Sequence, residues 1–442
     1  MQLSVFGLGY VGVVSAACFA RNGHEVIGVD TNTTKTDMVN AGCSPIVETG
    51  LDDLIKTQVE RGRLSSTANA SLAIDRTSHI FVCVGTPSNR NGSLDLAYVR
   101  RVCEQIGQEL ARTSDYKTII IRSTMLPGSM ESVVVPTLER ASGKRAGVDF
   151  GVCINPEFLR EGSAIFDFDH PPKTVIGATE EKSAESLKEL YRHIDSPLFV
   201  TDFKTAEMVK YADNSWHALK IAFANEIGRL SKAMGVDSRN LMRIFCDDTK
   251  LNISRAYLRP GFAFGGSCLP KDVRAVTYNS RALDVTVPVL SAILPSNRVH
   301  IDHGLGLIHA TGKKRVGFLG LSFKEGTDDL RESPIVAMVE QLIGKGYEIS
   351  VHDRNVQLAS LVGANRDYIL NHIPHIGRLL VGDPTSLFAQ SDVVVLATNE
   401  PEFGSLAREH GQNKVLIDLV GTWDLCNETD RPVSYSYAGI AW

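Results

Sequence analysis

The stretch Gly261–Asp272, GFAFGGSCLPKD, places a sulfur nucleophile at a break in structure. Gly265 and Gly266 make a turn cheaply and a helix expensively. Pro270 suits the first turn of a following helix, where its missing N–H costs nothing. Cys268, at such a start, faces unpaired backbone N–H groups and the positive end of a helix dipole, which favour the thiolate. Lys271 and Asp272 add a proton-handling amine and, four residues from the sulfur, a carboxylate. Nucleophilic catalysis is the chemistry these residues suit. A buried structural cysteine beside a glycine turn remains the plainer alternative on this stretch alone.

A nucleophile needs elements to hold it and a reaction partner, and the N-terminus supplies a candidate for the second. Leu3, Val5 and Phe6 mark a strand that breaks at Gly7-Leu8-Gly9-Tyr10-Val11-Gly12; an apolar helix follows to about Asn22, then a strand Glu25–Val29 ending at Asp30. This is the spacing of a dinucleotide-binding unit. Gly7 permits the tight turn, Gly9 lets a pyrophosphate approach, and Gly12 allows close helix–strand packing. Asp30 can bond both ribose hydroxyls and would repel a 2′-phosphate, which predicts NAD as the cofactor and not NADP.

Further strands predict where other chemistry sits. His79–Val84 runs into Thr86 and Thr118–Arg122 into Thr124, so both hydroxyls reach the ligand edge of a parallel sheet; helix capping is the alternative for each. After a strand Val148–Ile154, Glu157 and Glu161 stand four apart near an expected helix start and could share one face. From Thr205 to about Met234, Met208, Ala212, Trp216, Leu219, Phe223, Ile227 and Leu230 keep a helical period. Lys210, Asn214 and His217 form a polar stripe on that helix, expected to enter a cleft, with Asn225 further along. A shorter helix Ser238–Asp247 precedes Tyr257 and Arg259, which suit a nucleotide or sugar ligand. A second α/β alternation has strands Val316–Leu319, Glu348–His352, Val393–Ala397 and Val415–Leu419, with a helix Val336–Ile343, but Gly317–Ser322 lacks the dinucleotide fingerprint. Lys324 and Arg331 flank its Gly326–Asp329 turn and suit phosphate or carboxylate.

The bulk composition narrows the class. At 442 residues two or three domains are expected. With 46 basic and 51 acidic residues the net charge is −5, which provides no general attraction for nucleic acid or an anionic membrane. The eight cysteines are scattered without a CxxC pair, so neither a disulfide scaffold nor a metal site is expected. The chain opens on a strand without a basic leader, and no apolar run approaches a membrane span. A cytoplasmic protein is expected.

In order and over nearly the full length, GLGYVG, CVGTP at 83–87, NPEFLREG at 155–162, the 205–230 helix, FGGSCLPKD at 264–272 and GLSFKEGTDDLRESP at 320–334 resemble the nucleotide-sugar 6-dehydrogenases, the UDP-glucose and GDP-mannose dehydrogenase family. Lys250–Ser254 and Tyr257–Phe262 resemble the mannose-type pocket more than the glucose-type one. The resemblance implies an α/β fold of two Rossmann-like domains joined by a central long helix and a helical dimerisation domain. The implied divisions are an NAD domain 1–202, a central helical domain 203–300 carrying the cysteine loop, and a sugar-nucleotide domain 301–442. It implies Cys268 as nucleophile, with Thr124, Glu157, Lys210, Asn214 and Asp272 steering water and protons. Implied substrate contacts are Glu161, Lys210, Asn214, His217, Asn225, Tyr257, Arg259, Phe262, Gly265 and Lys324, with Ala256 contributing backbone only. Implied cofactor contacts are Tyr10, Val11, Asp30, Lys35, Thr86, Thr124, Lys271 and Arg331, beside the glycines Gly7, Gly9 and Gly12. The implied reaction is the oxidation of the C6 hydroxyl of GDP-mannose to the uronic acid, as in alginate biosynthesis, through a thiohemiacetal and a thioester on cysteine. It consumes two NAD and no metal, in a homo-oligomer of at least two chains; a UDP-sugar such as UDP-glucose is the alternative substrate. A one-step alcohol dehydrogenase and a nonenzymatic dinucleotide-binding protein are the rival classes.

Overall fold

The computed structural model describes residues 1–87, 89, 93–160, 162–254, 257, 261–266, 269–322, 330–354, 356, 376–422 and 436–441. Of the residues singled out above, Glu161, Ala256, Arg259, Cys268 and Lys324 lie outside the described residues. The chain divides into two compact units, Met1–Ala218 and Leu219–Trp442.

The first unit is built on an eight-stranded sheet: β1 (Gln2–Phe6), β2 (Glu25–Val29), β3 (Leu64–Thr67), β4 (His79–Val82), β5 (Thr118–Ile121), β6 (Gly151–Ile154), β7 (Thr174–Ala178) and β8 (Leu198–Thr201). Its order is β3-β2-β1-β4-β5-β6-β7-β8. The first six strands are parallel and β7 reverses against β6. Every residue of β4, β5 and β6 is buried, as expected for a parallel sheet covered on both faces. The strand expected over Val148–Ile154 is shorter at its start, because Ala146–Phe150 forms a turn closed by Gly147 N–H to the Phe150 carbonyl at 2.8 Å. The strand order reverses direction between β1 and β4, the switch point where ligands enter such sheets. The helix Tyr10–Arg21 lies buried from Gly12 to Ala20 because Val13, Val14, Ala16, Ala17 and Phe19 leave no polar face over that span.

The second unit contains a five-stranded, all-parallel sheet: β9 (Arg315–Leu319), β10 (Glu348–His352), β11 (Val393–Leu396), β12 (Val415–Asp418) and β13 (Ser436–Gly439) in the order β10-β9-β11-β12-β13. Sequence reading found four of these strands and not β13, whose Ser436-Tyr437-Ala438-Gly439 carries little strand pattern. Both sheets are Rossmann-like.

The long helix runs Phe203–Ala233, close to its expected span. Its apolar row is not all packed: Met208, Trp216 and Leu219 are 40–53% exposed. Three buried glutamates each take two backbone N–H groups at the start of another helical segment. Glu207 accepts from Gly128 and Met130 at 2.6 and 2.8 Å, and Glu226 from Val289 and Leu290 at 2.8 and 3.0 Å. Glu48 accepts from Gly162 and Ala164 at 2.8 and 3.0 Å. Each satisfies N–H groups that a helix cannot pair internally.

Candidate active site

At the β1 turn, Gly7 has φ +93° and donates its N–H to the Val29 carbonyl at 2.7 Å. A Cβ on Gly12 would stand 1.8 Å from the Gly7 carbonyl oxygen, whereas one on Gly9 would meet nothing within 4 Å. Gly12 is therefore glycine for packing, and Gly9 leaves open space at the helix start. Among the described residues no side chain caps that start, and the helix dipole there favours an anion, so these residues fit a dinucleotide pyrophosphate. Asp30 is half-buried and already engaged. Its Oδ2 accepts from Leu8 N–H at 2.8 Å, its Oδ1 from Asn32 N–H at 2.9 Å, and Lys35 Nζ lies 3.5 Å away. A carboxylate has lone pairs left for ribose hydroxyls after these bonds. Thr86 Oγ1 donates to the Thr124 carbonyl at 2.8 Å, which ties the two strand-end hydroxyl residues together.

Lys210 and Glu157 are brought together. Nζ stands 3.0 Å from Glu157 Oε1, with the side chains only 12% and 10% exposed. The ammonium thus has a carboxylate partner within the protein. Glu157 Oε2 accepts from Leu159 N–H at 2.7 Å, and the Phe158 ring lies 5.6 Å below Lys210 Nζ. Residues 155–160 are not helical, and the next helix begins at Ala164, so the expected helical face for Glu157 and Glu161 does not form at Glu157. The reason is local: Pro156 and the Glu157 carboxylate, bonded two residues ahead, both hold the backbone outside a helix. The floor is a buried network. Arg122 Nη1 donates to Asn155 Oδ1 at 2.5 Å and to Tyr191 Oη at 3.0 Å, and Asn155 Nδ2 donates to the Val175 carbonyl at 2.8 Å. Arg122 and Asn155 follow the paired ends of β5 and β6, two residues before Thr124 and Glu157. The rest of the stripe, Asn214 and His217, is exposed, as is Asn225.

In the second unit, the loop that precedes Cys268 is held from the helix Pro288–Ala310. Phe264 N–H donates to Asn297 Oδ1 at 2.9 Å, Asn297 Nδ2 returns to the Phe264 carbonyl at 2.8 Å, and His300 Nε2 bonds the Gly261 carbonyl at 2.7 Å. A Cβ on Gly265 would lie 2.4 Å from the Glu332 carbonyl oxygen, and Gly266 has φ +86°. The paired glycines thus serve close approach and a left-handed turn respectively. Phe262 is half-buried against Gly304. Pro270 falls within the first turn of the helix Leu269–Ala282, as expected. Lys271 and Asp272 are largely exposed and pair with each other at 3.4 Å. Tyr257 is exposed with φ +61°, and Arg331 is half-buried.

Sequence reading missed Glu48, Arg122, Asn155, Tyr191, Asn297 and His300. Glu207 and Glu226 carried a signal: each lies four residues along the helix from a buried apolar residue, Phe203 and Leu230, and so interrupts an apolar face. Burial acts against charge on Glu48, but the Tyr10 hydroxyl and the Gly162 and Ala164 N–H groups outweigh it and hold the carboxyl below its usual range. Burial pushes the Glu207 carboxyl up despite its two donors. Among the described residues no group of three or more His, Cys, Asp or Glu is arranged for a metal ion, and no helix is long and apolar enough to cross a membrane.

A Rossmann-like unit with an open glycine turn, an acid at the end of its second strand and a buried lysine–carboxylate pair fits the class of dinucleotide-dependent enzymes. Family models describing the UDP-glucose/GDP-mannose dehydrogenase family match residues 1–195 as its NAD-binding domain, 204–299 as its central domain and 317–425 as its UDP-binding domain. The chain belongs to this family. It is 52% identical over 421 residues to GDP-mannose 6-dehydrogenase of Pseudomonas aeruginosa, covering 95% of this chain and 97% of that protein. The fold matches the crystal structure of a ternary complex of GDP-mannose dehydrogenase from Pseudomonas aeruginosa with TM-score 0.96, at 50% identity and full coverage of both chains. It is 33% identical to UDP-glucose 6-dehydrogenase of Haloferax volcanii, over 95% of this chain and 96% of that one.

Proposed function

We infer that the chain is an NAD-dependent nucleotide-sugar dehydrogenase that oxidises the C6 hydroxyl of GDP-mannose to the carboxylate of GDP-mannuronic acid. The observation that carries the substrate is the full-length likeness to GDP-mannose 6-dehydrogenases, at 49–52% identity against 33–35% for UDP-glucose dehydrogenases. Bound NAD supplies the hydride acceptor, held by Gly7, Gly9, Gly12, Tyr10, Val11, Asp30, Lys35, Thr86 and Thr124, with Lys271 and Arg331 as further contacts. The two residues of the buried pair take complementary roles. Lys210 donates to the C6 oxygen as negative charge develops there, and Glu157 accepts protons. With the first C6 hydride passed to one NAD and the hydroxyl proton to Glu157, C6 becomes an aldehyde, and the Cys268 thiolate adds to that carbon while its oxygen takes up a proton, giving a thiohemiacetal. Loss of that proton and passage of the remaining C6 hydride to a second NAD leaves a thioester, which water cleaves to return the thiol and release the acid. Asn214 and Asp272 order the water, and Glu161, His217, Asn225, Tyr257, Arg259, Phe262, Gly265 and Lys324 bind the sugar nucleotide, with Ala256 contributing backbone.

The chain is read as three functional domains, 1–202, 203–300 and 301–442, supported by the separate family segments. The exposed apolar row on the helix Phe203–Ala233 supports assembly into at least a dimer, in the cytoplasm. Sedimentation at low micromolar concentration is expected to find no monomer. The substrate is tested by NADH formation with GDP-mannose, UDP-glucose and UDP-N-acetyl sugars. Two NADH per GDP-mannose are expected. A preference for a UDP-sugar overturns the assignment of the base, and one NADH per sugar overturns the covalent route.

A further inference from the structure

We propose that Glu48 is a positioning residue through which NAD at Tyr10 orders the loop 157–164. The loop follows β6 and carries Glu157, yet among its described residues only Ala164 is helical. Its far end is gripped from one side by a single carboxylate, buried in the turn before the helix Leu51–Glu60. Glu48 Oε2 accepts from Gly162 N–H at 2.8 Å and Oε1 from Ala164 N–H at 3.0 Å. The same Oε2 takes the hydroxyl of Tyr10, and that hydroxyl also lies 3.2 Å from the Arg160 carbonyl oxygen.

Tyr10 is the first residue of the helix whose start is open for the pyrophosphate. A shift of that residue on cofactor binding is therefore passed directly to the Arg160 carbonyl, and to Gly162 and Ala164 by way of one buried acid. The loop has a second anchor, independent of the first: Asp167 accepts from Arg160 N–H at 2.9 Å and pairs with the Arg160 guanidinium at 2.6 Å. The Arg160 end of the loop is thus held without Glu48, whereas the Gly162 and Ala164 end is held by it. The distinctive feature of Glu48 is the link to Tyr10. Hydrogen bonds to an ionised carboxylate are the strong ones, and a buried one in fixed geometry transmits displacement better than a surface pair.

The inference rests on the NAD reading of Tyr10 and not on the identity of the sugar, so the test uses NAD alone. Amide hydrogen exchange is followed in the peptide spanning 157–164, with and without saturating NAD, in the full-length wild type, Glu48→Gln and Tyr10→Phe. Gln keeps the shape but has one oxygen in place of two. In the wild type NAD should slow exchange at Gly162 and Ala164 about tenfold, a factor of the size that one strengthened charged hydrogen bond supplies. Glu48→Gln should abolish that slowing while calorimetry still reports bound NAD. Tyr10→Phe, which leaves both backbone bonds to Glu48, should keep the slow basal exchange and lose the NAD effect. Equal NAD protection in Glu48→Gln and wild type means that the cofactor covers the loop directly, and overturns the proposal. If Glu48→Gln does not fold, undiminished protection in Tyr10→Phe overturns it equally. A wild type that gives no heat with NAD overturns both this link and the cofactor reading, whereas NAD binding without GDP-mannose turnover sinks the substrate assignment alone.

Discussion

The two Rossmann-like sheets solve the same turn with the same parts. Gly7 and Gly320 have φ +93° and +97°, and each donates its N–H to the last carbonyl of the second strand, Val29 at 2.7 Å and His352 at 2.8 Å. The acid that follows that strand, Asp30 or Asp353, accepts from the next N–H, Leu8 or Leu321, at 2.8 Å in both cases. They differ in what comes next. After Gly7 a helix starts at Tyr10, uncapped by any side chain, with Gly12 pressed on the Gly7 carbonyl. After Gly320 the next described helix is Pro334–Gly344, where Ser333 bonds both the Leu321 carbonyl and Val336 N–H. The acid at the end of the second strand is therefore first a buttress for the turn. Readiness for a pyrophosphate comes from the open helix start beside it.

The largest effect expected from breaking this asymmetry is catalytic, because the buried Lys210–Glu157 pair belongs to the first unit. Lys210→Met should lower single-turnover NADH formation about 10²–10³-fold, as loss of one transition-state donor does. It also strands Glu157, so Lys210→Met with Glu157→Gln should recover stability without recovering rate. A folded single variant within twofold of wild type would reduce the pair to a packing feature. Next is Gly12→Ala, whose Cβ must displace the helix from Gly7. A loss of NAD affinity of about a hundredfold and about 3 kcal/mol of stability are expected from such overpacking, by calorimetry and thermal melting.

The direct test of the comparison is the pair Asp30→Ala and Asp353→Ala. Each should cost about 1–3 kcal/mol through an unsatisfied N–H, but only Asp30→Ala should weaken NAD, by about tenfold, and relax discrimination against NADP. Equal effects on NAD would show that the buttress and not the ribose contact sets affinity.

The smallest expected effect separates two buried glutamates. Glu48 has a lowered carboxyl pKa, so its stabilisation is present above the ordinary carboxylate value and is lost as pH falls through the folded one. Glu207 is raised, so ionising it costs stability as pH rises, and that cost is relieved as pH falls through its folded value. The stability gap between wild type and Glu48→Gln should shrink on acidification, whereas for Glu207→Gln it should shift in favour of wild type. Denaturant melts carried from about pH 7 to well below the ordinary carboxylate value of about 4.3 would read Glu207 above that value and Glu48 below it.

The contrast between the two glycine turns also separates what was legible in the chain from what was not. Gly7, Gly9, Gly12 and Asp30 announce their roles because a tight turn and a close helix leave few residue types that fit. The period of the helix Phe203–Ala233 and the turn at Gly265-Gly266 were legible for the same reason: local backbone geometry restricts local residue choice. So were most strands, whose buried runs differ from the turns around them. β13 was not, because its pairing with β12 supplies an order that its own residues do not encode.

Side-chain partners were decided only by tertiary structure. Nothing in the spacing of Lys210 and Glu157 says that they meet at 3.0 Å, or that Glu48 reaches Tyr10 and a loop more than a hundred residues onward. The two-residue offset from Arg122 to Thr124 and from Asn155 to Glu157 means nothing until β5 and β6 lie side by side. The sequence by itself determined the turns, the helix periods and the family, because these are set by short-range sterics and by motifs in order. The fold alone decided which charges are buried together, because burial and pairing depend on residues that only the packed sheets and helices bring within a few ångströms.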